Sequence, residues 1–428
     1  MYSLSNKLDN ELIDDLLYNI IKMVHTDDLY NLSNCNVSLN SMIHNSSFIR
    51  KTMYFIDKDF MRFIDCDNWN SIMYYVAKDG HLDICKYLIS QDTSGKFGIR
   101  GASAGGHLHI CEYFMSIGKF SVKDFNWSLD CAARNGHLHM CEYFVSLGAI
   151  EFNWALKNAA YSGKKELCEY FIDKGASKLH FGLVGAARGG HLELCKWFID
   201  IGSSYTNSIL GNAAMSGNLE LCEYFISLGM SDLNVGLHHS ACSGNIDLCK
   251  YFISLGATNL KYALYSASSN RYLHICKYLV SLGATDFNGA LQNAAGCGDL
   301  NICKYFVSLG ATDFNSALYH AAGGGFMEVC RYLISLGIVD VTTFNDALEI
   351  AAMEGYMSLC KYFIELGATN LDQALRNAAV NGKLKLCKYL VSLNTTDFDS
   401  VLKCTSKKSK IYKWLHEQKN EYELNMNS

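Results

Sequence analysis

The sequence of 428 residues contains no proline, and it also lacks the marks of a secreted or membrane-spanning chain. Residues Met1 to Lys7 show no apolar core of a signal peptide. No run of about 18 apolar residues predicts a membrane span. We therefore expect a cytoplasmic chain without a membrane segment. The absence of proline is typical of a codon or lineage bias, and no mechanism follows from it.

The sequence also has no large excess of positive or negative charge, since the net charge is −5 and the sequence pI is about 6.3. This balance gives no bulk electrostatic attraction to nucleic acid. Half of the residues are hydrophobic, which is enough for a large core. Length alone would suggest two or three domains. A repeat array is an exception to that estimate, because its core grows along one axis.

Cysteine, by contrast, is abundant, and most of it belongs to one repeated string, Cys-Lys-Tyr-Phe-Val-Ser-Leu-Gly with small changes. Twelve of the 18 cysteines occupy the same position of this string, and we call them the ladder cysteines. They are Cys85, Cys111, Cys141, Cys168, Cys195, Cys222, Cys249, Cys276, Cys303, Cys330, Cys360 and Cys387. Every step from Cys141 to Cys330 is 27 residues. An internal repeat of this kind decides the architecture.

Residues 284–310 illustrate one unit, which the spacing of apolar and small residues predicts to be a pair of short helices. Gly298 breaks the chain between them, and Gly310 ends the second helix, as a left-handed residue does. Asn288 is interpreted as the N-cap of the first helix. The same position holds Asn126, Asn153, Asn207, Asn234, Asn315, Asn345 and Asp372. Each pair is too small to bury its own faces, so the units are expected to stack.

These strings resemble the ankyrin repeat. The pattern Ala-Ala-x-x-Gly-His-Leu-x-x-Cys appears nearly intact from Ala132 to Cys141. The resemblance covers residues 68–395 in about twelve copies, and the 27-residue units are similar to the ankyrin arrays of large DNA viruses of amoebae. It implies an all-α ankyrin-type repeat solenoid, with a concave surface of inner helices that binds protein partners.

The units depart from the ankyrin pattern in length, because an ankyrin unit usually has about 33 residues. The missing residues fall between Gly283 and Leu291, where the family has a β-hairpin finger. We therefore expect short loops in place of fingers. Arg271 replaces the glycine of one turn, which calls the geometry of that turn into question.

The ladder cysteines are interpreted as buried small hydrophobic residues. Stacked helices lie about 10 Å apart, whereas the Cα atoms of a disulfide lie within about 7 Å, so successive ladder cysteines are not expected to pair. Free buried thiols favour a reducing compartment.

His238, His239 and Cys242 have the spacing of metal ligands, but a third or fourth ligand of proper spacing is missing. No catalytic constellation stands out either, and we expect no metal, no cofactor and no enzymatic activity.

Two positions vary between copies while the frame stays fixed, eleven and seven residues before each ladder cysteine. They are four residues apart and so share one helical face, and the second position matches the concave lining of ankyrin arrays. Aromatic and arginine side chains are typical anchors of interfaces. The candidate partner-binding residues are Arg134, Lys157, Tyr161, Arg188, Tyr265 and Tyr319. Ordinary variation of a solvated face is the alternative interpretation.

Residues 1–60 do not follow the repeat and are interpreted as a small N-terminal helical module. Leu12, Leu16 and Ile20 have helical spacing, and Leu29 lies near the start of another helix. This pattern resembles an F-box, although Ile13 occupies the place of the usual proline. The resemblance implies that Leu12, Leu16, Ile20 and Leu29 bind a Skp-type adaptor. The alternative is a structural cap that packs the same strip on the first repeat.

The sequence thus predicts a helical module over residues 1–60, about twelve repeats over residues 68–395, and a C-terminal cap with a basic tail over residues 396–428. The favoured function is a protein–protein interaction scaffold without a nucleic-acid or membrane partner. If the F-box resemblance holds, the scaffold is a substrate adaptor of a cullin-type ubiquitin ligase. Otherwise it is a pure interaction or competitor module with no ligase link.

Overall fold

The computed structural model describes residues 69–426 except 91, 92, 206, 207, 338, 339, 394, 396 and 408. The predicted N-terminal module over residues 1–60 lies outside the described residues. The described part forms 26 helices and no strand. The prediction of an all-α fold is therefore confirmed. No helix in this part of the chain is long and apolar enough to cross a membrane.

The chain divides after Gly185 into two compact units, which are described separately. Unit 1 contains α1 (Trp69–Lys78), α2 (Leu82–Ser90), α3 (Gly95–Gly105), α4 (Leu108–Ile117), α5 (Val122–Arg134), α6 (Leu138–Ser146), α7 (Phe152–Tyr161) and α8 (Lys165–Asp173). The division falls within α9 (Leu179–Gly189).

Unit 2 continues with short helices of the same kind and ends in a longer one. It contains α10 (Leu192–Asp200), α11 (Ser208–Ser216), α12 (Leu219–Ser227), α13 (Leu233–Ser243), α14 (Ile246–Ser254), α15 (Leu260–Ser269), α16 (Leu273–Ser281), α17 (Phe287–Cys297), α18 (Leu300–Ser308), α19 (Phe314–Gly323), α20 (Met327–Ser335), α21 (Val341–Glu354), α22 (Met357–Glu365), α23 (Leu371–Val380), α24 (Leu384–Val391), α25 (Phe398–Cys404) and α26 (Lys410–Met426).

The helices up to α24 alternate between two kinds, which we call A (odd numbers) and B (even numbers). Each A helix other than α9, which the division crosses, packs on its own B helix and, within a unit, on the next such A helix. In α17 the contact face consists of Ala290, Leu291, Ala294 and Ala295, all 0% exposed. Small side chains at these positions let the A helices approach closely, as the sequence predicts.

Gly101 marks a close approach between two A helices in unit 1. A Cβ atom on this residue of α3 would lie 2.0 Å from the carbonyl oxygen of Tyr74 in α1. That distance is far inside van der Waals contact, so only glycine fits without a backbone shift. The packing of α1 on α3 therefore depends on the missing side chain.

The turn between the two helices of a repeat needs a left-handed residue, and glycine usually supplies it. Gly298 has φ 78° after α17. Arg271 occupies the same position after α15 with φ 66°, and it is the only non-glycine residue with positive φ in the described part of the chain. The turn geometry is thus preserved at Arg271, at the expense of backbone strain.

The predicted N-cap is wrong at Asn288 and at its described equivalents, whereas Asn207 lies outside the described residues. The cap of α17 is Asp286, whose carboxylate accepts a hydrogen bond from the backbone N–H of Gly289 at 3.1 Å. Asn288 lies inside the helix, and its side-chain oxygen accepts from the backbone N–H groups of Thr312 and Asp313 in the next repeat, at 2.8 and 3.0 Å. The position therefore joins neighbouring repeats and does not start a helix. The same bridge is made by Asn126, Asn153, Asn234 and Asn345.

The ladder cysteines line the core on the B helices, and all twelve are 0% exposed and unbridged. Burial raises the pKa of the Cys303 thiol to about 12, so the thiol remains protonated at neutral pH. Their interpretation as buried small hydrophobic residues is confirmed. Among the described cysteines, Cys404 at the end of α25 is exposed.

The exposed side of the B helices carries a row of cations that contact tyrosines. In unit 2 the ammonium of Lys304 lies 5.7 Å from the ring centroid of Tyr332 in the next repeat, and the ammonium of Lys361 lies 5.3 Å from that of Tyr389. These distances fit weak cation–π contacts between successive repeats.

Candidate protein-binding surface

The two variable positions lie on the solvent side of the A helices, and we call this side the A-helix face. Most of its side chains are half-buried or exposed. Ala104 and Gly211 are buried exceptions. The prediction that this face is not part of the core is therefore confirmed for most copies.

Arg134 and Tyr161 meet across two repeats of unit 1. Arg134 ends α5 and is exposed, and its guanidinium carbon lies 4.4 Å from the ring centroid of Tyr161 at the end of α7. Stacking on a ring covers one face of the guanidinium and leaves its N–H edge available to an acceptor. Both residues were predicted to bind a partner, and the structure brings them together.

Lys157, a third predicted residue, lies on α7 beside an exposed tryptophan. Its ammonium is 5.0 Å from the ring centroid of Trp154, one turn away, and Trp154 is 47% exposed. The ring of Trp154 in turn contacts that of Phe181 in the next repeat, with centroids 5.2 Å apart. The cation and the two rings form a continuous part of the A-helix face.

Arg100 on α3 shows the same arrangement nearer the start of unit 1. Its guanidinium carbon lies 3.7 Å from the ring centroid of Trp127, which is 40% exposed. Arg100 and Lys96 also contact the buried carboxylate of Asp124, at 3.8 and 3.2 Å. Burial alone would raise the pKa of Asp124, but hydrogen bonds from Ser121 and Lys96 hold it below its usual range.

Trp127 and Trp154 were not predicted as candidates, because they lie outside the two variable positions of the repeat. Both tryptophans stand fourteen residues before a ladder cysteine. The positions fourteen, eleven and seven residues before a ladder cysteine lie on one helical face, because successive positions are three and four residues apart. A count of aromatic residues at this third position would have found them. It also holds Phe97, Phe181 and Tyr262.

Cys131 on α5 lies within the electrostatic reach of three cations, Lys78, Arg100 and Arg134, which come from three successive A helices. Burial nonetheless raises the pKa of this thiol to about 11, so a thiolate is not its resting form. The neighbouring carboxyl of Asp130 is also desolvated, and burial raises its pKa to about 7 although Asn158 donates a hydrogen bond to it. The cations thus converge around a protonated thiol and a carboxyl whose pKa lies near neutral pH.

In unit 2, Tyr265 is engaged within the fold. Its hydroxyl donates a hydrogen bond to the carboxylate of Asp286 at 2.5 Å, and the ammonium of Lys261 lies 2.8 Å from the same carboxylate. Hydrogen bonds from Lys261 and Tyr265 lower the pKa of Asp286 to about 2. Because Asp286 caps α17, this predicted binding residue also joins one repeat to the helix start of the next.

Tyr319 and Arg188 are exposed on unit 2, and Tyr319 has 43% of its surface accessible. Near Tyr319 an open polar groove runs between α15, α17 and α19. The Ser269 hydroxyl donates to the Asn293 side-chain oxygen there at 2.8 Å. The groove is lined by Ser269, Gln292, Asn293, Gly296, Cys297 and His320.

The structure groups the six predicted residues by unit. Arg134, Lys157 and Tyr161 are neighbours in unit 1. The others, on unit 2, are Arg188, Tyr265 and Tyr319. The predicted adaptor-binding residues lie outside the described residues; they are Leu12, Leu16, Ile20 and Leu29.

The histidine–cysteine cluster of α13 makes hydrogen bonds within the fold. A ring nitrogen of His238 and the Ser266 hydroxyl share a hydrogen bond at 2.8 Å, and the Cys242 sulfur accepts from the side chain of Asn270. No group of three or more metal-binding side chains occurs in the part of the chain that the structure describes.

The family model described as ankyrin repeats (3 copies) matches five overlapping segments, at residues 183–260, 210–289, 237–316, 264–345 and 291–374. The four steps between the starts of these segments are 27 residues each, the length of the repeat in this chain. Residues 183–374 carry ankyrin repeats. No curated protein matches the chain.

The ankyrin repeats account for the alternation of A and B helices and support a protein–protein interaction scaffold, since such repeats generally bind protein partners. They do not decide which side chains bind.

Proposed function

We propose that the A-helix face of the ankyrin repeats is the surface on which this scaffold binds its protein partner. The observation that carries the proposal is the stack of Arg134 on Tyr161, together with the exposed Trp154 beside Lys157. Arginine and large aromatic side chains are enriched at the energetic centres of interfaces. The proposed contact residues are Arg134, Lys157 and Tyr161 on unit 1, and Arg188, Tyr265 and Tyr319 on unit 2.

The stack supports binding because it orders long side chains before a partner arrives. Fixing a flexible side chain at an interface costs about 0.5–1.5 kcal/mol. The ring of Tyr161 restricts Arg134 beforehand, so less of that cost remains on binding. The rings of Trp127 and Trp154 bring apolar surface to the same face, whose burial is favourable.

Capture from an extract of the native cell, with the full chain as bait, tests the proposal. Replacing Arg134, Lys157 and Tyr161 together with Ala should abolish capture, with little change in the melting temperature. A second variant carries Tyr265→Ala and Tyr319→Ala on unit 2. The matched control is Lys304→Ala with Lys361→Ala, on the B helices. If both face variants keep the partner, or if the control loses it, the A-helix face is not the binding surface.

The three-part organisation of the sequence is part of the same proposal. It assigns residues 1–60 to a helical module, 68–395 to the repeats, and 396–428 to a cap with a basic tail. A reducing, cytoplasmic location agrees with the many buried thiols. The resemblance to repeats of large DNA viruses of amoebae adds that the partner is a host protein. We also propose that binding is the whole activity and that the chain has no catalytic role.

A more specific role is that of a substrate adaptor for a cullin-type ubiquitin ligase. Its basis is the F-box-like spacing of Leu12, Leu16, Ile20 and Leu29 in the sequence. An exposed apolar strip of this kind would dock in a groove of a Skp-type protein. The alternative is that the strip packs on the first repeat as a structural cap.

One pair of substitutions separates these alternatives in the full chain. Leu16→Asp with Ile20→Asp should stop co-purification with the host Skp-type protein and leave the melting of the repeats unchanged. If the double variant instead lowers the melting temperature, or if the wild-type chain does not co-purify with that protein, the module is a cap and the ligase role fails.

A further inference from the structure

The A helices of the two units differ in charge. In unit 1, helices α1, α3, α5 and α7 carry six cations and two carboxylates. One carboxylate, Asp124, is buried against Lys96 and Arg100, and the other, Asp130, is largely desolvated. In unit 2, helices α11, α13, α15, α17, α19, α21 and α23 carry two cations and four carboxylates. The positive excess is therefore confined to unit 1.

Several of the unit 1 cations have no acidic neighbour. Among the described residues, no carboxylate lies within 4.0 Å of the charged groups of Lys78, Arg134 or Lys157. Two of them contact aromatic rings: Arg134 stacks on Tyr161, and Lys157 lies beside Trp154. A cation over a ring keeps its charge, because the ring supplies no full negative charge to neutralise it. These groups remain available to an anion from outside.

We infer that the A-helix face of unit 1 binds an acidic polypeptide segment, through Lys78, Arg134 and Lys157 as carboxylate contacts and Trp127 and Trp154 as apolar contacts. The inference rests on the proposed function and specifies the chemistry of its partner. A stacked arginine presents its N–H edge to a carboxylate, for which a two-bond contact is the preferred geometry.

The spacing of the cations suits an extended chain. Packed A helices lie about 8–10 Å apart. An extended polypeptide in the polyproline II conformation has three residues per turn and advances about 3.1 Å per residue, so residues three apart lie on the same side, about 9 Å from each other. Acidic side chains about three residues apart would therefore meet successive A helices. A nucleic acid is disfavoured, because it binds through a broad positive surface, whereas this chain has a net charge of −5 and its cations form one short row.

The test uses the full chain and a fluorescein-labelled peptide of about 15 residues with Glu at every third position and Ser and Gly between, spaced for the extended chain. The matched peptide has Gln in place of Glu. Fluorescence anisotropy should show at least about tenfold tighter binding of the Glu peptide, with the difference reduced by added salt. Equal affinity for the two peptides would overturn the inference.

Charge-removing variants locate the site. Arg134→Gln with Lys157→Gln should weaken binding of the Glu peptide at least about tenfold, as expected for two lost charge contacts. Lys304→Gln with Lys361→Gln removes the same charge from the B helices and should leave the affinity within about twofold of wild type, since distant rim charges contribute little. Equal weakening by both pairs would overturn the inference, because attraction would then follow overall charge.

Two further results distinguish the inferred acidic partner from a nucleic acid, and the inference from the proposed function. A single-stranded oligonucleotide that binds more tightly than the Glu peptide, and loses binding in the Arg134–Lys157 variant, would overturn the peptide partner in favour of nucleic acid. If the Glu peptide does not bind but the Arg134, Lys157 and Tyr161 variant still loses its captured cellular partner, only the inference on partner charge is wrong. In that case the proposed function stands.

Discussion

The side-chain oxygen of Asn288 accepts a hydrogen bond from the backbone N–H of Thr312, 2.8 Å away and one repeat further along the chain. The same oxygen accepts from Asp313, which caps the next A helix. One amide therefore fixes the loop that starts a repeat to the helix of the preceding repeat. Because similar side chains recur along both units, this bridge is a regular part of the coupling between neighbours.

Asn288→Ala should destabilise the protein by about 1–3 kcal/mol, since two hydrogen bonds of about 0.5–1.5 kcal/mol each are lost. Urea unfolding measures the change in the free energy of unfolding. Asn301→Ala is the matched control, because Asn301 lies exposed on α18 and alanine favours helix there. A loss no larger than in the control would show that the bridge is not a source of stability.

Gly101→Ala should destabilise unit 1 by about 1–3 kcal/mol, the range of core overpacking with a backbone shift. The added Cβ would lie 2.0 Å from the Tyr74 carbonyl oxygen. Gly296→Ala on α17 is the matched control, since its Cβ would have its nearest neighbour, the Cβ of His320, at 3.5 Å. There alanine should be neutral or stabilise by about 1 kcal/mol through helix propensity. Thermal melting of the two variants compares them, and similar losses would contradict the close-approach argument.

Arg271→Gly should raise the free energy of unfolding by up to about 1 kcal/mol, because glycine relieves a left-handed backbone that costs other residues about 1–2 kcal/mol. Arg271 also donates to the carbonyl of Cys297. Arg271→Lys therefore serves as a control that keeps the strain and changes only the donor. If the glycine variant melts no higher than the lysine variant, relief of the left-handed backbone does not stabilise the protein.

The repeat, its helices and the buried cysteines were predictable because they depend on residues that recur at fixed spacing. The N-cap prediction at Asn288 was wrong for a local reason. Asn suits both a cap and a bridge, and the nearby Asp286 is as good a cap. Only the three-dimensional register shows which residue stands before the helix. The cation–π contacts of unit 1 join residues of different repeats. The sequence therefore predicted Arg134 and Tyr161 as binding residues but did not predict that they contact each other.

Asp130→Asn should remove a pH-dependent loss of stability. Burial raises the pKa of this carboxyl from 3.8 to about 7, with a smaller contribution from the charge of Glu151. Between these values the unfolded chain is ionised and the folded chain holds the proton. Stability from this group therefore falls as pH rises and stays low above about pH 7. From about pH 4 to pH 8, the free energy of unfolding of the variant should rise relative to that of wild type by on the order of 2–4 kcal/mol.

Urea unfolding at several pH values checks this prediction, with Asp247→Asn as the matched control. The carboxylate of Asp247 is 88% exposed, so its removal should leave the pH dependence close to that of wild type. If the free energy of unfolding of Asp130→Asn depends on pH in the same way as that of wild type, the carboxyl is not desolvated in the folded chain.

The ladder thiols should resist modification in the native protein, while Cys404 reacts quickly. Burial raises the pKa of Cys303 to about 12 and removes it from solvent, whereas Cys404 is exposed, and the thiolate of an accessible cysteine is the reactive species. With an aromatic disulfide reagent at about pH 8, near the ordinary thiol pKa of about 8.5, Cys404→Ser should remove one equivalent from the fast phase. Cys303→Ser should leave that phase unchanged and affect only the total after denaturation. A smaller fast phase in the Cys303→Ser variant would mean that the core opens on the timescale of the reaction.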